Sequence, residues 1–385
     1  MDTAGLTEGL RRAADSGDVP GVAACAANAD GVIFEGAFGK RNLATGAPMT
    51  VDTVLWIASM TKAITAACAM QQVERGKLTL DGDLGAVVPE VARAQVLEGF
   101  DGAGKPRLRA PKRAVTLRHL LTHTAGYSYD MWNADILRYS EVAGIPGIAT
   151  SKNAALQLPL IADPGEKWEY GISIDWAGKA VEAVSGQNLN TYMQDNLLGP
   201  LGMRDTGFVL GETHRARLAT VHARTPDGLV PTQMEIPQTP EFFMGGGGLY
   251  STVGDYLKFT QMILHGGALD GARVLRPETV AAMSRNAMGD LTCASMMKSA
   301  VPAVTNDVDF LGGMKWGLSF MINPVPMRTG RSAGSLAWAG LTNCYYWIDP
   351  VRKVTGVFAT QVLPFYDAKA FATYENFETA VYQAL

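Results

Sequence analysis

From Ala63 to Met70 the chain carries no charged side chain, inside the longer stretch "VLWIASMTKAITAACAMQQVERGKL". A helix over this stretch is apolar almost all round, and such a helix is stable only when it is enclosed on every side. The rest of the fold must therefore be built around it, with Gly76 as its stop. A chain of 385 residues is long enough to do so, with one large core or two closely packed ones.

The flanking segments show how the enclosure is made. Residues 3–16 read as an amphipathic helix ending near Ser16-Gly17, and "VAACAAN" and "VIFEGAFG" as two strands joined by an Asp-Gly type of turn. Helix signals dominate from about 80 to 240. In "TLRHLLTHTAG", Thr116 is the N-cap candidate and Gly126 the terminator; in "SIDWAGKAVEAVSG" these are Ser173 and Gly186. "GGGGLYSTVGDYLKFTQMILHGG" passes from a glycine run into another helix. The last hundred residues hold the strand-like segments "KWGLSFMI", "CYYWI" and "VTGVFATQVL", then a helix over about 368–383. This order predicts an α/β (α+β) chain with one sheet assembled from both termini. Residues 1–79 and 241–385 would form that domain, with a mainly helical domain, 80–240, inserted and the active site between them.

Bulk properties narrow the function. With 47% hydrophobic and 18% charged residues the composition is that of a folded domain. A net charge of −4 provides no basic field, so no nucleic-acid partner is expected. The start has no signal-peptide core, and no apolar run approaches bilayer length. These features predict a cytoplasmic protein with no membrane partner, either a monomer or a homodimer. Cys25, Cys68, Cys293 and Cys344 follow no metal-ligand spacing, so neither metal nor cofactor is expected. In a reducing compartment they read as small buried hydrophobes, with disulfides as the alternative.

Three serines compete as nucleophile. "GRSAG" (330–334) fits the Gly-x-Ser-x-Gly elbow, which needs a buried strand before it and a helix after it. The preceding "NPVPMRT" has two prolines, and the following "SLAWAGLTN" is broken by glycine. All five histidines precede Ser332, whereas in that fold the histidine follows the serine. Ser332 is rejected. "ASMTK" (58–62) and "ASMMK" (294–298) are both Ser-x-x-Lys, a spacing that puts the lysine amine one helical turn from the serine hydroxyl. A serine in the first turn also feels the positive end of the helix dipole. The lysine can act as a base only where burial lowers its pKa. Lys62 sits at the start of the charge-poor helix and meets that condition. Ser295 and Lys298 have Pro302 close behind and no long helix to bury them, and read as a surface loop or short helix.

Five segments, "LWIASMTKAITAACAMQQVERGKLTLDGDL", "VTLRHLLTHTAGYSY", "DPGEKWEYGISIDWAGKAVEAVSG", "PLGMRDTGF" and "GGGGLYSTVGDYLKF", resemble in order the serine β-lactamase and penicillin-binding-protein superfamily. Within it the likeness is to the class C-like branch, with the family VIII carboxylesterases and the fungal statin side-chain acyltransferase. The resemblance implies the β-lactamase/transpeptidase-like fold, an antiparallel sheet flanked by helices. It implies that Ser59 is the nucleophile, with Lys62 and Tyr170 as its proton-transfer partners. The oxyanion hole would be the backbone N–H groups of Ser59 and Leu341.

The family's Tyr-x-Asn falls on "YGI", so Ile172 replaces the asparagine that contacts an amide side chain. Its Lys-Thr-Gly falls on Trp338-Ala339-Gly340, so a tryptophan replaces the lysine that helps hold a substrate carboxylate. Tyr129 is placed as a catalytic helper or a pocket residue, with Tyr127 beside it. Trp338 either lines the acyl pocket or packs the strand edge. His123 reads as a hydrogen-bonded structural histidine, and Gly245 to Gly248 as a tight chain approach in the core.

These departures favour neutral, apolar acyl groups over anionic lactams, while Arg331 or Lys315 near the site would leave room for weak β-lactam hydrolysis. The leading expectation is a serine carboxylesterase acting on small-molecule esters, short- to medium-chain and neutral, through an acyl-enzyme. The alternatives are an acyltransferase that passes the acyl group to an alcohol, and an acyl- or lactam-binding sensor that acylates without turnover.

Overall fold

The first strands of the chain pair with the last. In a computed structural model, which describes residues 3–385, β1 (Gly21–Asn28) and β2 (Gly31–Asn42) form a hairpin that continues into β3 (Ala47–Pro48). From the C-terminal part come β4 (Lys315–Trp316), β5 (Met321–Ile322), β6 (Leu336–Gly340), β7 (Cys344–Asp349) and β8 (Val354–Ala359). The sheet order is β4-β5-β6-β7-β8-β1-β2-β3, every neighbouring pair antiparallel, with Cys25 of β1 opposite Val357 of β8. This is the β-lactamase/transpeptidase-like architecture.

The sheet is covered on both faces, so β6, β7 and β8 are buried along their whole length and read as continuous apolar runs. Helices α1 (Ala4–Asp15) and α5 (Ala368–Ala384) lie on one face. There Tyr345 stacks on Tyr374 at 4.5 Å and Phe34 meets Phe377 at 5.7 Å. Helix α4 (Val253–Leu264) packs against β1, β7 and β8 on the other face. The small side chains of β1 let it approach until Cys25 Sγ is 3.2 Å from the Val253 carbonyl.

Helix α2 (Thr61–Glu74) is the enclosed helix that its sequence demands: every residue from Thr61 to Gln72 is buried. It packs on α3 (Ser173–Ser185), which ends at Gly186 with φ 73°. Between α2 and Tyr250 lie α3, shorter helices and two small sheets, and the buried apolar cluster runs on through them without a break. All four cysteines are buried and free. Among the described residues no helix is long and apolar enough to cross a membrane.

Local expectations fail where side chains outside the segment decide the ending. Thr116 does cap its helix, accepting from His119 N, but the helix stops at Leu121 rather than near Gly126. His123 takes a left-handed φ of 56° and its carbonyl accepts from Glu169 N at 2.7 Å, which turns the chain early. Ser173 is the first residue of its helix, and Ile172 holds the cap position. "KWGLSFMI" folds into the β4–β5 hairpin, not one strand. The end of "VTGVFATQVL" leaves the main sheet, because Val362–Leu363 pairs parallel to His222–Thr225.

The "GRSAG" turn belongs to the α5 side. The Ser332 amide donates to Asp349 Oδ2 at 2.9 Å, and the buried Arg331 guanidinium is paired twice with the buried Glu378 carboxylate, at 2.7 and 3.1 Å. Removing one partner strands the other charge in the core, at a cost of about 3–5 kcal/mol. Arg331→Met should therefore lower unfolding stability by about 3–5 kcal/mol in urea melts. An unchanged midpoint would show the pair to be neutral.

Candidate active site

The short strand Leu55–Trp56 pairs with Tyr250–Ser251 and leads into a single 3-10 turn, Ala58–Met60, ahead of α2. Ala58 has φ 44°, a left-handed conformation that is strained for a residue with a side chain. That turn lifts Ser59 to the lip of a cavity of about 210 Å³. Lys62, one turn later, is fully buried. Its Nζ lies 3.1 Å from Ser59 Oγ, 2.9 Å from Tyr129 Oη and 2.6 Å from the Gly246 carbonyl oxygen. A carbonyl can only accept, so one N–H of the amine is committed to Gly246. When the amine is neutral, its lone pair is left to face Ser59 or Tyr129. Burial pushes the Lys62 ammonium below the usual lysine range, opposed by the charge of Asp175.

Asp175, in the first turn of α3, is 1% exposed. Its Oδ1 accepts from the Gly246 amide at 2.8 Å, while Oδ2 has no hydrogen-bond partner. Burial pushes this carboxyl up and the Lys62 charge pulls it down. Gly246 thus presents its N–H to Asp175 and its C=O to Lys62. A Cβ there would lie 2.4 Å from Asp175 Oδ2, so the glycine run is the close approach that the sequence suggests.

Tyr170 stands beside the same amine and in hydrogen-bonding reach of Ser59. Its Oη accepts from Trp338 Nε1 at 2.9 Å, and its ring centroid is 4.8 Å from Lys62 Nζ and 5.5 Å from the Tyr129 ring. Burial raises the phenol above the ordinary tyrosine range, and the hydrogen bonds to Ser59 and Trp338 work the other way. Next to it, Gly171 allows the backbone of residues 127–128 to cross, because a Cβ there would meet the Tyr127 carbonyl at 2.3 Å. On the far side Gly340 ends β6 against the backbone just before Ser59, where a Cβ would lie 2.3 Å from the Ile57 carbonyl.

Of the residues singled out from sequence, Ser59, Tyr129, Tyr170, Trp338, Ala339, Gly340 and Leu341 line this one cavity, with Lys62 directly behind it. Trp338 both lines the cavity and bonds Tyr170. Two expectations are corrected. Tyr127 is buried against Trp176, and Ile172, at the cap of α3, is wholly buried; neither lines the cavity, because the 127–128 and 170–172 segments cross with these side chains turned into the core.

Arg331 and Lys315 also supply no charge to it. Arg331 is held by Glu378, and Lys315 Nζ donates to the carbonyls of Gly289, Asp290 and Leu291. Ser295 and Lys298 are exposed and outside any helix, with Lys298 paired to Asp307. His123 is buried but not hydrogen-bonded through its ring. It is packed among Trp168, Tyr170 and Trp316, edge-on to the last at 5.3 Å, and burial keeps it neutral.

Sequence reasoning missed Asp175. It shares the i, i+4, i+7 face of α3 with Lys179 and Glu182, so the helix pattern by itself reads it as a surface carboxylate.

The fold and the Ser59–Lys62–Tyr170 cluster define a serine enzyme of the β-lactamase type. The chain belongs to the Beta-lactamase family, whose profile matches residues 7–380. It is 33% identical to the lovastatin esterase of Penicillium rubens, over 92% of each chain. It is 31% identical to the monacolin J acid methylbutanoyltransferase of Aspergillus terreus, over 97% of this chain and 94% of that one. The unliganded simvastatin synthase of Aspergillus terreus superposes with a TM-score of 0.83 at 30% identity, covering 98% of this chain and 97% of that one. A hydrolase described as having promiscuous acyltransferase activity shares the fold, with a TM-score of 0.77 at 22% identity.

The Asp175 carboxylate favours the charged form of Lys62. Replacing it with a neutral group removes that support, so the amine should lose its proton at lower pH. In Asp175→Asn the Lys62 titration, followed through a carbon-13 label at Cε, should move to lower pH than in the wild type. A shift upward would contradict the assigned field.

Proposed function

We propose that this protein is a serine carboxylesterase that forms an acyl-enzyme on Ser59 from neutral, apolar esters of short to medium chain. The observation that carries this reading is the triple coordination of Lys62, whose one fixed N–H leaves the lone pair to Ser59 or Tyr129. With its pKa lowered, Lys62 is the base that takes the Ser59 proton as Oγ attacks the ester carbonyl. The backbone N–H groups of Ser59 and Leu341 hold the developing oxyanion.

Tyr170, whose phenol burial keeps protonated, gives its proton to the leaving alkoxide. The phenolate that remains is held by the Trp338 indole N–H and by the Lys62 ammonium beside its ring. In the second half that phenolate takes a proton from the attacking water, and the departing Ser59 oxygen takes one from Lys62. Both groups then return to their starting state. Tyr129, bonded to the same amine, keeps Lys62 aimed at Ser59. Asp175 acts through Gly246 and Lys62 as a positioning residue.

The cavity lining supports the choice of substrate. Met131, Ile148, Met234, Met244, Met297 and Val301 make an apolar wall with four flexible thioethers, suited to alkyl groups of varied shape. Among the described residues no lysine or arginine lines it to bind an anionic lactam. The same wall disfavours bound water and favours an alcohol as acyl acceptor, which supports acyl transfer as the second reading.

On nitrophenyl esters Ser59→Ala should abolish turnover, while Ser295→Ala and Ser332→Ala should keep it; activity surviving in Ser59→Ala would overturn the assignment. Trp338→Phe keeps the ring but loses the donor to Tyr170, a bond of the charge-assisted type worth about 1.5–3 kcal/mol. It should lower kcat about 10- to 100-fold with KM little changed. Adding alcohol acceptors and measuring ester against acid product separates hydrolysis from transfer.

A further inference from the structure

Among the described residues the cavity wall carries one carboxylate, Asp130, and no lysine, arginine or histidine. Asp130 lies between Tyr129, which bonds Lys62, and Met131 and Trp132, and all four of Tyr129, Asp130, Met131 and Trp132 reach the cavity. Its Oδ1 accepts from the Met131 amide at 2.8 Å, and among the described residues no lysine, arginine or histidine is paired with it. Lys298, next in sequence to the lining residue Met297, is exposed and paired with Asp307. Lys62 stands behind the wall rather than in it, and burial favours its neutral form. The lining that Asp130 shares includes the aromatic residues Trp56, Tyr129, Trp132, Trp338 and Phe365. Ring faces and a carboxylate together form the chemistry that receives an ammonium group. The same carboxylate, in a wall of low polarity, repels an anion more strongly than it would in water.

We infer that Asp130 makes this cavity charge-selective, admitting substrates that carry an ammonium group and excluding those that carry a carboxylate. The inference rests on the ester-cleaving reading of Ser59 for its kinetic form, though not for its binding form. Burial raises the Tyr129 hydroxyl above the ordinary tyrosine range, and the charges of Asp175, Tyr170 and Asp130, in that order, add to it.

Two matched nitrophenyl or alkyl ester series test it, with a trimethylammonium, a methyl or a carboxylate group at the far end of the acyl chain or of the alcohol. In at least one series the wild type should show kcat/KM for the cationic ester at least tenfold above that for the anionic one. In Asp130→Asn and Asp130→Ser this ratio should fall to within about threefold. Because each ratio is taken within one protein, a loss of folded enzyme cancels. A ratio unchanged by both substitutions, in both series, overturns the inference. Calorimetry on Ser59→Ala with hexylammonium, hexanol and hexanoate reads the same preference without chemistry. Tighter binding of hexylammonium that vanishes in Ser59→Ala/Asp130→Asn upholds it even if no ester is turned over, which would sink only the esterase reading. Equal binding of the ammonium and the carboxylate refutes it.

Discussion

A lysine amine held out of water is the constraint on which the rest of this structure depends. Lys62 sits in the first turn of a helix enclosed on every side, where its charge costs free energy and its neutral form gains. The surroundings tolerate it because every direction around Nζ ends on an oxygen. Those oxygens come from Ser59, Tyr129 and Gly246, parts of the chain that are far apart in sequence. Asp175 adds a compensating negative charge without touching the amine, and Gly246 stands between them, its N–H bonded to Asp175 and its C=O to Lys62.

Backbone proximity makes this convergence possible. Gly171, Gly246 and Gly340 stand where a second chain or carboxylate comes so close that no Cβ fits. Each brings one wall of the site to Ser59: the tyrosine segment, the carbonyl for Lys62, and the edge of β6. The Trp338–Tyr170 bond then ties β6 of the sheet to the helical part of the chain. The sheet itself, closed by β1 beside β8, keeps these walls in register.

Much of this was legible from residues. The charge-free stretch at Ala63–Met70 announced a central helix, and the lysine at its head separated "ASMTK" from "ASMMK" on burial alone. The order of the histidines removed Ser332. Endings were less legible. The helix after Thr116 stops early because Glu169 captures the His123 carbonyl, a contact that is remote in sequence. Tyr127 and Ile172 sit beside site residues in the chain but face the core, since crossing segments fix which side chain of each pair turns inward. Asp175 was invisible because nothing local distinguishes a buried carboxylate from a surface one on the same helix.

By itself the sequence determined which helix lies at the centre, which serine has a lysine that burial can activate, and that the sheet draws on both termini. Periodicity, spacing and charge are local properties, and these conclusions need nothing more. The tertiary structure decided the rest: that Gly246 links Lys62 to Asp175, that the Trp338 indole serves Tyr170, that Arg331 belongs to Glu378, and that Asp130 is the charged group of the cavity wall. Each of these is a contact between segments distant in sequence, and the free energy of a buried polar group is set by the partner it finds there.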